Sequence, residues 1–237
     1  MDLPMFVKAA KPALLAAALC LTPAAAGLIP VSAVAQQTQR EISADQAFPF
    51  LSKFLALPTS ERDEITVAYI LKIKGGTQGA SIVLKHNGQN QKLNIGGDGR
   101  ITPLPTLAQL RGGATVVVNG PEKGVSMRVR VYATETPAKT MTVAPLAKAV
   151  TQSNSVMRKV GGVLALTQPK LDRLYFVGSG NARVTMADGS QKLLPKSAVD
   201  DAYPSGTPYL VPTEYPGAVS VSFDATPSKI GIDDRAK

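Results

Sequence analysis

Between residues 65 and 74 the chain alternates with period two. Ile65, Val67, Tyr69, Leu71 and Ile73 stand against Thr66, Ala68, Ile70, Lys72 and Lys74. Successive side chains of a strand point to opposite faces, so this pattern specifies a strand with one face on a core. Gly75, Gly76 and Gly79 turn the chain into a second strand at 80–86. Asn87-Gly88, the strongest short hairpin signal, sends it back through 91–95. After the turn Gly96-Gly97-Asp98-Gly99, residues 104–110 have room for a helical turn. Residues 115–119 and 125–134 then read as a further pair of strands joined through Asn119-Gly120-Pro121.

Helical spacing occurs twice. Ser43 with Gln46 has the form of a capping box, and Phe50, Leu51, Phe54, Leu55 and Leu57 share a face before Pro58 ends the segment. Pro145 suits a first helical turn. Leu146, Val150, Ser153, Met157 and Val160 line one side of the helix behind it, which Gly161-Gly162 terminates. Strands resume at 163–166, 174–177, 182–187, 191–194 and 218–223, around a proline-rich loop at 196–216. The class is α+β, mainly antiparallel β.

Four short matches recur in the same order and predict an internal duplication. Residues 80–93 (ASIVLKHNGQNQKL) parallel 182–194 (ARVTMADGSQKLL), and GATVVV from Gly113 parallels GAVSVS from Gly217. ATETPAK from Ala133 parallels ATPSK from Ala225, and Leu55-Ala56-Leu57 parallels Leu164-Ala165-Leu166. Two related lobes are therefore expected, 43–140 and 141–226, each a helix packed on a sheet or sandwich. A flexible lead-in precedes them at 36–42, and a frayed polar tail follows at 227–237.

The first 35 residues read as a secretory signal peptide. Lys8 and Lys11 precede an uncharged stretch at 12–39, residues 13–21 form a compact apolar core, and Ala33-Val34-Ala35 suits signal peptidase. Leu19 before Cys20 argues against lipoprotein processing. Cleavage near Ala35 leaves a mature chain without cysteine, hence without disulfides or thiolate chemistry. The expected location is periplasmic or extracellular, soluble after cleavage, with no mature transmembrane segment.

No catalytic, cofactor-binding or metal-ligating motif stands out. His86 is the only histidine and flanks a tight turn, while Gly178-Ser179-Gly180 lacks the spacing and the following helix of a nucleophile elbow. Asp98 and Asp188 each stand alone in glycine turns, too few oxygens for calcium. Asp200-Asp201 and Asp233-Asp234 read as solvated pairs, and Glu61, Asp63 and Glu64 as an acidic loop.

Charge gives the more specific expectation. The chain has 26 Lys+Arg against 17 Asp+Glu; without Lys8, Lys11 and Asp2 these become 24 and 16, a net of +8. Alternation places Lys72, Lys74, Lys85, Lys92, Arg128, Arg130 and Tyr132 away from the core. If their four strands share a sheet, they form a basic face suited to a polyanion, since arginine can grip phosphate or carboxylate with two parallel hydrogen bonds. The expected partners are peptidoglycan, anionic lipid headgroups or another envelope polyanion. Nucleic acid is disfavoured, because aromatics are few and tryptophan is absent. The corresponding function is a non-catalytic binding or adaptor module without cofactors. The alternative is a metal-free, thiol-free hydrolase of an envelope polymer with acids from both lobes, marked by two acids facing across a cleft. A structural subunit would show a large exposed apolar patch instead.

Overall fold

The computed structural model of the protein describes residues 2–3, 38–74, 76–77, 79–120, 125–162, 169–198 and 202–234. The elements run β1 (Asp2–Leu3), β2 (Thr38–Ser43), α1 (Ala44–Ala47), α2 (Leu51–Ala56), β3 (Ile65–Ile73), β4 (Ser81–His86) and β5 (Gln89–Ile95). Next come β6 (Ile101–Thr102), α3 (Leu107–Arg111), β7 (Thr115–Gly120), β8 (Val125–Ala133), β9 (Thr140–Thr142) and α4 (Val143–Gly161). The chain continues through β10 (Arg173–Val177), β11 (Ala182–Met186), β12 (Gln191–Leu193), β13 (Tyr209–Leu210), β14 (Ala218–Phe223) and β15 (Lys229–Asp233). All pairings are antiparallel among the described strands, which with the helices gives the α+β class read from the sequence.

Three sheets result. A six-stranded sheet runs through β8, β15, β10 and β13, with β3 and β1 also paired to β8. A five-stranded sheet has the order β2-β7-β4-β5-β6, and a four-stranded sheet the order β12-β11-β14-β9. The hairpin β4–β5 and strand β7 thus take the same places in one sheet as β11–β12 and β14 take in the other. These are the segments that match in sequence. The match between residues 133–139 and 225–229 is out of step, because the first follows β8 and the second lies between β14 and β15. The second Leu-Ala-Leu falls outside the described residues, as do the strand expected at 163–166 and nearly all of the signal segment.

Local signals set several elements as expected. The Ser43 hydroxyl caps α1 by accepting from the Gln46 amide at 3.2 Å. Asn87 and Gly88 both take positive φ, 48° and 74°, which a two-residue hairpin turn requires. Asp98 and Asp188 serve their turns by accepting the backbone N–H of Arg100 and Ser190.

Four expectations need correction. Residues 38–42 are not a flexible lead-in: β2 pairs with β7 from Thr38↔Gly120 to Ser43↔Thr115. The strands at 115–120 and 125–133 are not partners, and neither are β3 and β4; in each case the chain changes sheet. Neither link is a two-residue hairpin, so local turn chemistry does not bind the flanking strands, and their apolar faces choose the partner. Val125, Met127, Val129 and Val131 of β8 lie on the same core side as Val67, Tyr69, Leu71 and Ile73 of β3. The loop at 196–216 contains β13. Finally, the tail at 227–237 is not frayed over its described part, because β15 lies between β10 and β8, with Ile230 and Ile232 each 2% exposed. Two isoleucines at spacing two make a core-facing strand even between charged neighbours.

One connected apolar cluster spans the described chain, drawing Leu51, Tyr69, Leu84 and Val116 together with Leu146, Leu174, Val184 and Val221. The acidic loop is tied into it from outside. Gln152 of α4 donates to Asp63 Oδ1 at 2.6 Å and accepts the Glu64 amide at 2.9 Å, while Lys159 reaches Glu61 at 2.6 Å. Those three acids therefore hold a helix, and the hydrogen bond from Gln152 keeps the Asp63 carboxyl below its ordinary range. No described helix is long and apolar enough to cross a membrane.

Candidate functional site

Sheet register decides which cations meet. One face of the six-stranded sheet packs Leu71, Met127, Ile232 and Leu174 into the core. On the opposite face, pairing aligns Thr66, Tyr132, Gly231, Tyr175 and Tyr209 in a row across five strands. One step along, Ala68 faces Arg130 and Asp233 faces Arg173. Lys72, Arg128 and Lys229 share this face by strand parity. The strands themselves thus contribute Lys72, Arg128, Arg130, Arg173 and Lys229 against Asp233.

These groups are organised around tyrosines. The Arg100 guanidinium reaches in from the turn before β6 and lies 4.5 Å from the Tyr132 ring centre, and Lys229 Nζ approaches the same ring at 6.0 Å. Arg173 lies 4.4 Å from the Tyr209 ring centre. Cations over aromatic faces are held by the ring quadrupole, and Arg173 is buried in this arrangement at 5% exposure. Three acids sit against the cations: Asp233 Oδ2 is 3.4 Å from Arg130 Nη1, Asp172 is 2.9 Å from Arg173 Nε, and Asp98 is 3.3 Å from Lys229 Nζ. Tyr203 comes from the loop before β13, stacks on Tyr175 at 4.8 Å and 29°, and is 4% exposed. Together with Ala68, Ile70 and Tyr132 these two rings form a second, smaller cluster behind the sheet.

The seven residues expected on one basic face divide between two sheets. Lys72, Arg128 and Arg130 are together on the six-stranded sheet, and exposed Lys74 lies just past the end of β3. Lys85 and Lys92 are on β4 and β5 of the five-stranded sheet, so the four strands do not make one face. Lys85 is also paired with Glu41 at 3.0 Å. Tyr132 does point away from the main core, but it is 5% exposed rather than solvated, because Arg100 and Lys229 cover it. The sequence reading misses Arg100, Arg173, Lys229, Tyr175, Tyr203 and Tyr209. The alternation Arg173/Tyr175/Val177 against Leu174/Phe176 carries a readable signal for two of them. Lys229/Gly231/Asp233 against Ile230/Ile232 carries it for a third.

Asp233 is the described carboxylate on this face whose burial gives it a pH signature. Burial pushes its carboxyl up to about 6, against the lowering pull of Arg130. It faces Arg130 from β8 and Arg173 from β10, with Asp234 and the Tyr203 hydroxyl nearby. An unfolded aspartate titrates near 4, so between about pH 4 and 6 the folded chain holds the extra proton. Stability therefore falls as pH rises through that window, by up to about 3 kcal/mol, and Asp233 contributes no further slope above it. Denaturant midpoints at pH 4.5, 5.5 and 7 check this: Asp233→Asn should remove most of the slope, and an equal slope in both proteins would contradict it.

His86 stands elsewhere, in a shallow cavity of about 380 Å³ lined also by Glu41, Lys85, Gly112 and Thr115. Its ring packs so closely on Gly112 that an added Cβ would lie 2.4 Å from Cε1. Glu41 accepts from Thr115 Oγ1 at 2.6 Å and from Lys85 Nζ at 3.0 Å, and these bonds hold its carboxyl below the usual range. Its charge is thus committed to local structure. Among the described residues no group of three or more His, Cys, Asp and Glu side chains is placed to hold a metal ion.

Compared with family models, with curated proteins and with solved structures, the chain matches none.

Proposed function

We propose that the protein is a non-catalytic binding or adaptor module that holds an anionic component of the cell envelope on the back face of the sheet formed by β3, β8, β15, β10 and β13. The observation that carries this reading is the gathering of Lys72, Arg128, Arg130, Arg173 and Lys229 on one sheet face, with Arg100 over Tyr132 beside them. Concentrated positive charge favours anionic partners, and arginines fixed by rings and sheet lose little freedom on binding. Peptidoglycan, with its peptide carboxylates, is the favoured partner, and anionic lipid headgroups are the second. Export under the segment at 1–35, with a soluble mature chain in the periplasm or outside the cell, supplies the compartment for both. The matching order of the five- and four-stranded sheets supports two related lobes.

The hydrolase alternative has less support. It needs acids from both lobes facing each other across a cleft, but Asp233, whose carboxyl is raised, faces Arg130, and the acid beside it, Asp234, is its own chain neighbour.

Pelleting the full chain with purified peptidoglycan over a salt series tests the reading. Binding should weaken on the order of tenfold between low and high salt, as screened charge contacts do. The triple variant Lys72→Gln, Lys74→Gln, Arg100→Gln should lose most of it, while Lys85→Gln with Lys92→Gln on the other sheet should bind like wild type. Phosphatidylglycerol vesicles form the second arm. Loss only in the Lys85/Lys92 variant would move the site to the five-stranded sheet and overturn the assignment.

A further inference from the structure

We infer that the side of β8 away from β3 is an acceptor edge for an extended acidic peptide, and that residues 2–3 fill it only until the leader is removed. The second half of this inference rests on the reading of residues 1–35 as a cleaved signal.

β8 is nine residues long, and its two sides are used unequally. On one side β3 pairs with every residue, from Ile65↔Ala133 to Ile73↔Val125. On the other side two short strands stand end to end: β15 takes Val131 and Tyr132, and β1 takes Met127 and Arg128. β15 is held in the sheet independently, by pairing with β10 along its whole length. β1 has β8 as its one partner among the described strands, and it lies inside the expected signal. Cleavage near Ala35 therefore takes away the strand and leaves its place. The buried core begins at Ala44 among the described residues, so the edge stays folded when its occupant goes. A strand edge with unpaired N–H and C=O groups is a template for another strand.

The occupant shows what fits. Register sets an acid, Asp2, opposite Arg128, and an apolar residue, Leu3, opposite Met127, which is 7% exposed. Opposite charges facing each other across a strand pair attract, and like charges repel. Arg130 and Lys72 share a sheet face with Arg128 by strand parity, so a basic strand would bring cations against cations. Main-chain hydrogen bonds supply affinity in this mode of binding, and alternate side chains supply choice. The fitting segment is thus extended, with an acid opposite Arg128 and an apolar residue beside it. A polymer on the face and a protein segment on the edge would occupy adjoining parts of one sheet, as an adaptor requires.

The probe is a labelled peptide of residues 1–7, MDLPMFV, titrated by fluorescence anisotropy. Three proteins are compared: the full chain, the full chain carrying Asp2→Pro with Leu3→Pro, and residues 36–237. The two prolines remove both N–H groups of β1, which opens the edge without shortening the chain. Both opened proteins should bind the peptide about fivefold or more tightly than the full chain, whose edge is occupied. An Asp2→Lys peptide should bind them about fivefold more weakly than the native peptide. Amide exchange at 127–129 should quicken on opening and slow again with peptide. If neither opened protein binds, or both peptides bind equally, the acceptor for an acidic strand is overturned. Dimerisation of the 36–237 chain alone would put a second copy on the edge. Binding that appears only after removal of residues 235–237 would put the chain's own end there. Either result overturns the inference. The mass of the exported protein separates the two readings: if residues 2–3 are still present, the leader reading falls, and the double-proline variant still decides the edge.

Discussion

Removing residues 229–237 should abolish cooperative folding, although they look like a dispensable charged tail. They include β15, which is hydrogen-bonded on one side to β10 and on the other to β8. Without it the six-stranded sheet divides, and both neighbours expose unpaired edges, an invitation to aggregation. Two fully buried isoleucines are lost with it; truncating even one such side chain costs about 2–5 kcal/mol. Whole-domain stability is about 5–15 kcal/mol, so the sum is not survivable. Circular dichroism and urea titration of the shortened chain should show no cooperative transition. A milder version, Ile232→Ala, should lower stability by about 3 kcal/mol. A truncated chain unfolding with the wild-type midpoint would show that β15 does not hold the sheet together.

Gly231→Ala is the second large effect. The new methyl would collide with the Tyr203 hydroxyl and ring at 2.0–2.5 Å, far inside contact distance. Gly231 lies in extended strand backbone, where alanine is readily accommodated, so the penalty is entirely steric. Overpacking of this kind costs about 1–3 kcal/mol, and here the relief available is expulsion of Tyr203. The single variant should therefore lose about 2–3 kcal/mol and expose a tyrosine, visible in near-ultraviolet circular dichroism. In Tyr203→Ala the clash has gone, and the same glycine substitution should cost well under about 1 kcal/mol. Additive losses in the double variant would mean that the ring and the glycine do not share that space.

What the sequence makes legible, and what it hides, follows from the range of the forces involved. Period-two runs, Asn-Gly and Asp-Gly turns and a capping serine act within a few residues, so β3, the β4–β5 and β11–β12 hairpins and the start of α1 can be read directly. Which strand pairs with which is decided by contacts between residues far apart in the chain. The break between β7 and β8, and the register that sets Ile232 of β15 opposite Val131 of β8, lie beyond any local signal. The candidate face suffers from the same limit. Alternation within their own strands places Lys72, Arg128 and Arg130, and that part agrees with the register. Joining them to Lys85 and Lys92 requires a sheet that the chain does not make. Arg173 and Lys229 escape notice because their strands are short and flanked by polar residues. Tyr203 sits in an irregular loop, where no periodicity exists to read.

Amide hydrogen exchange of the full chain, with and without saturating peptidoglycan, tests the assignment of the binding face most directly. The prediction is slowed exchange in the turn at 96–100, at the end of β3 around Lys74 and around Tyr209, with the hairpin at 85–92 unchanged. Slowed exchange confined to 85–92 and 112–115, around His86, would contradict the account and place the ligand on the five-stranded sheet.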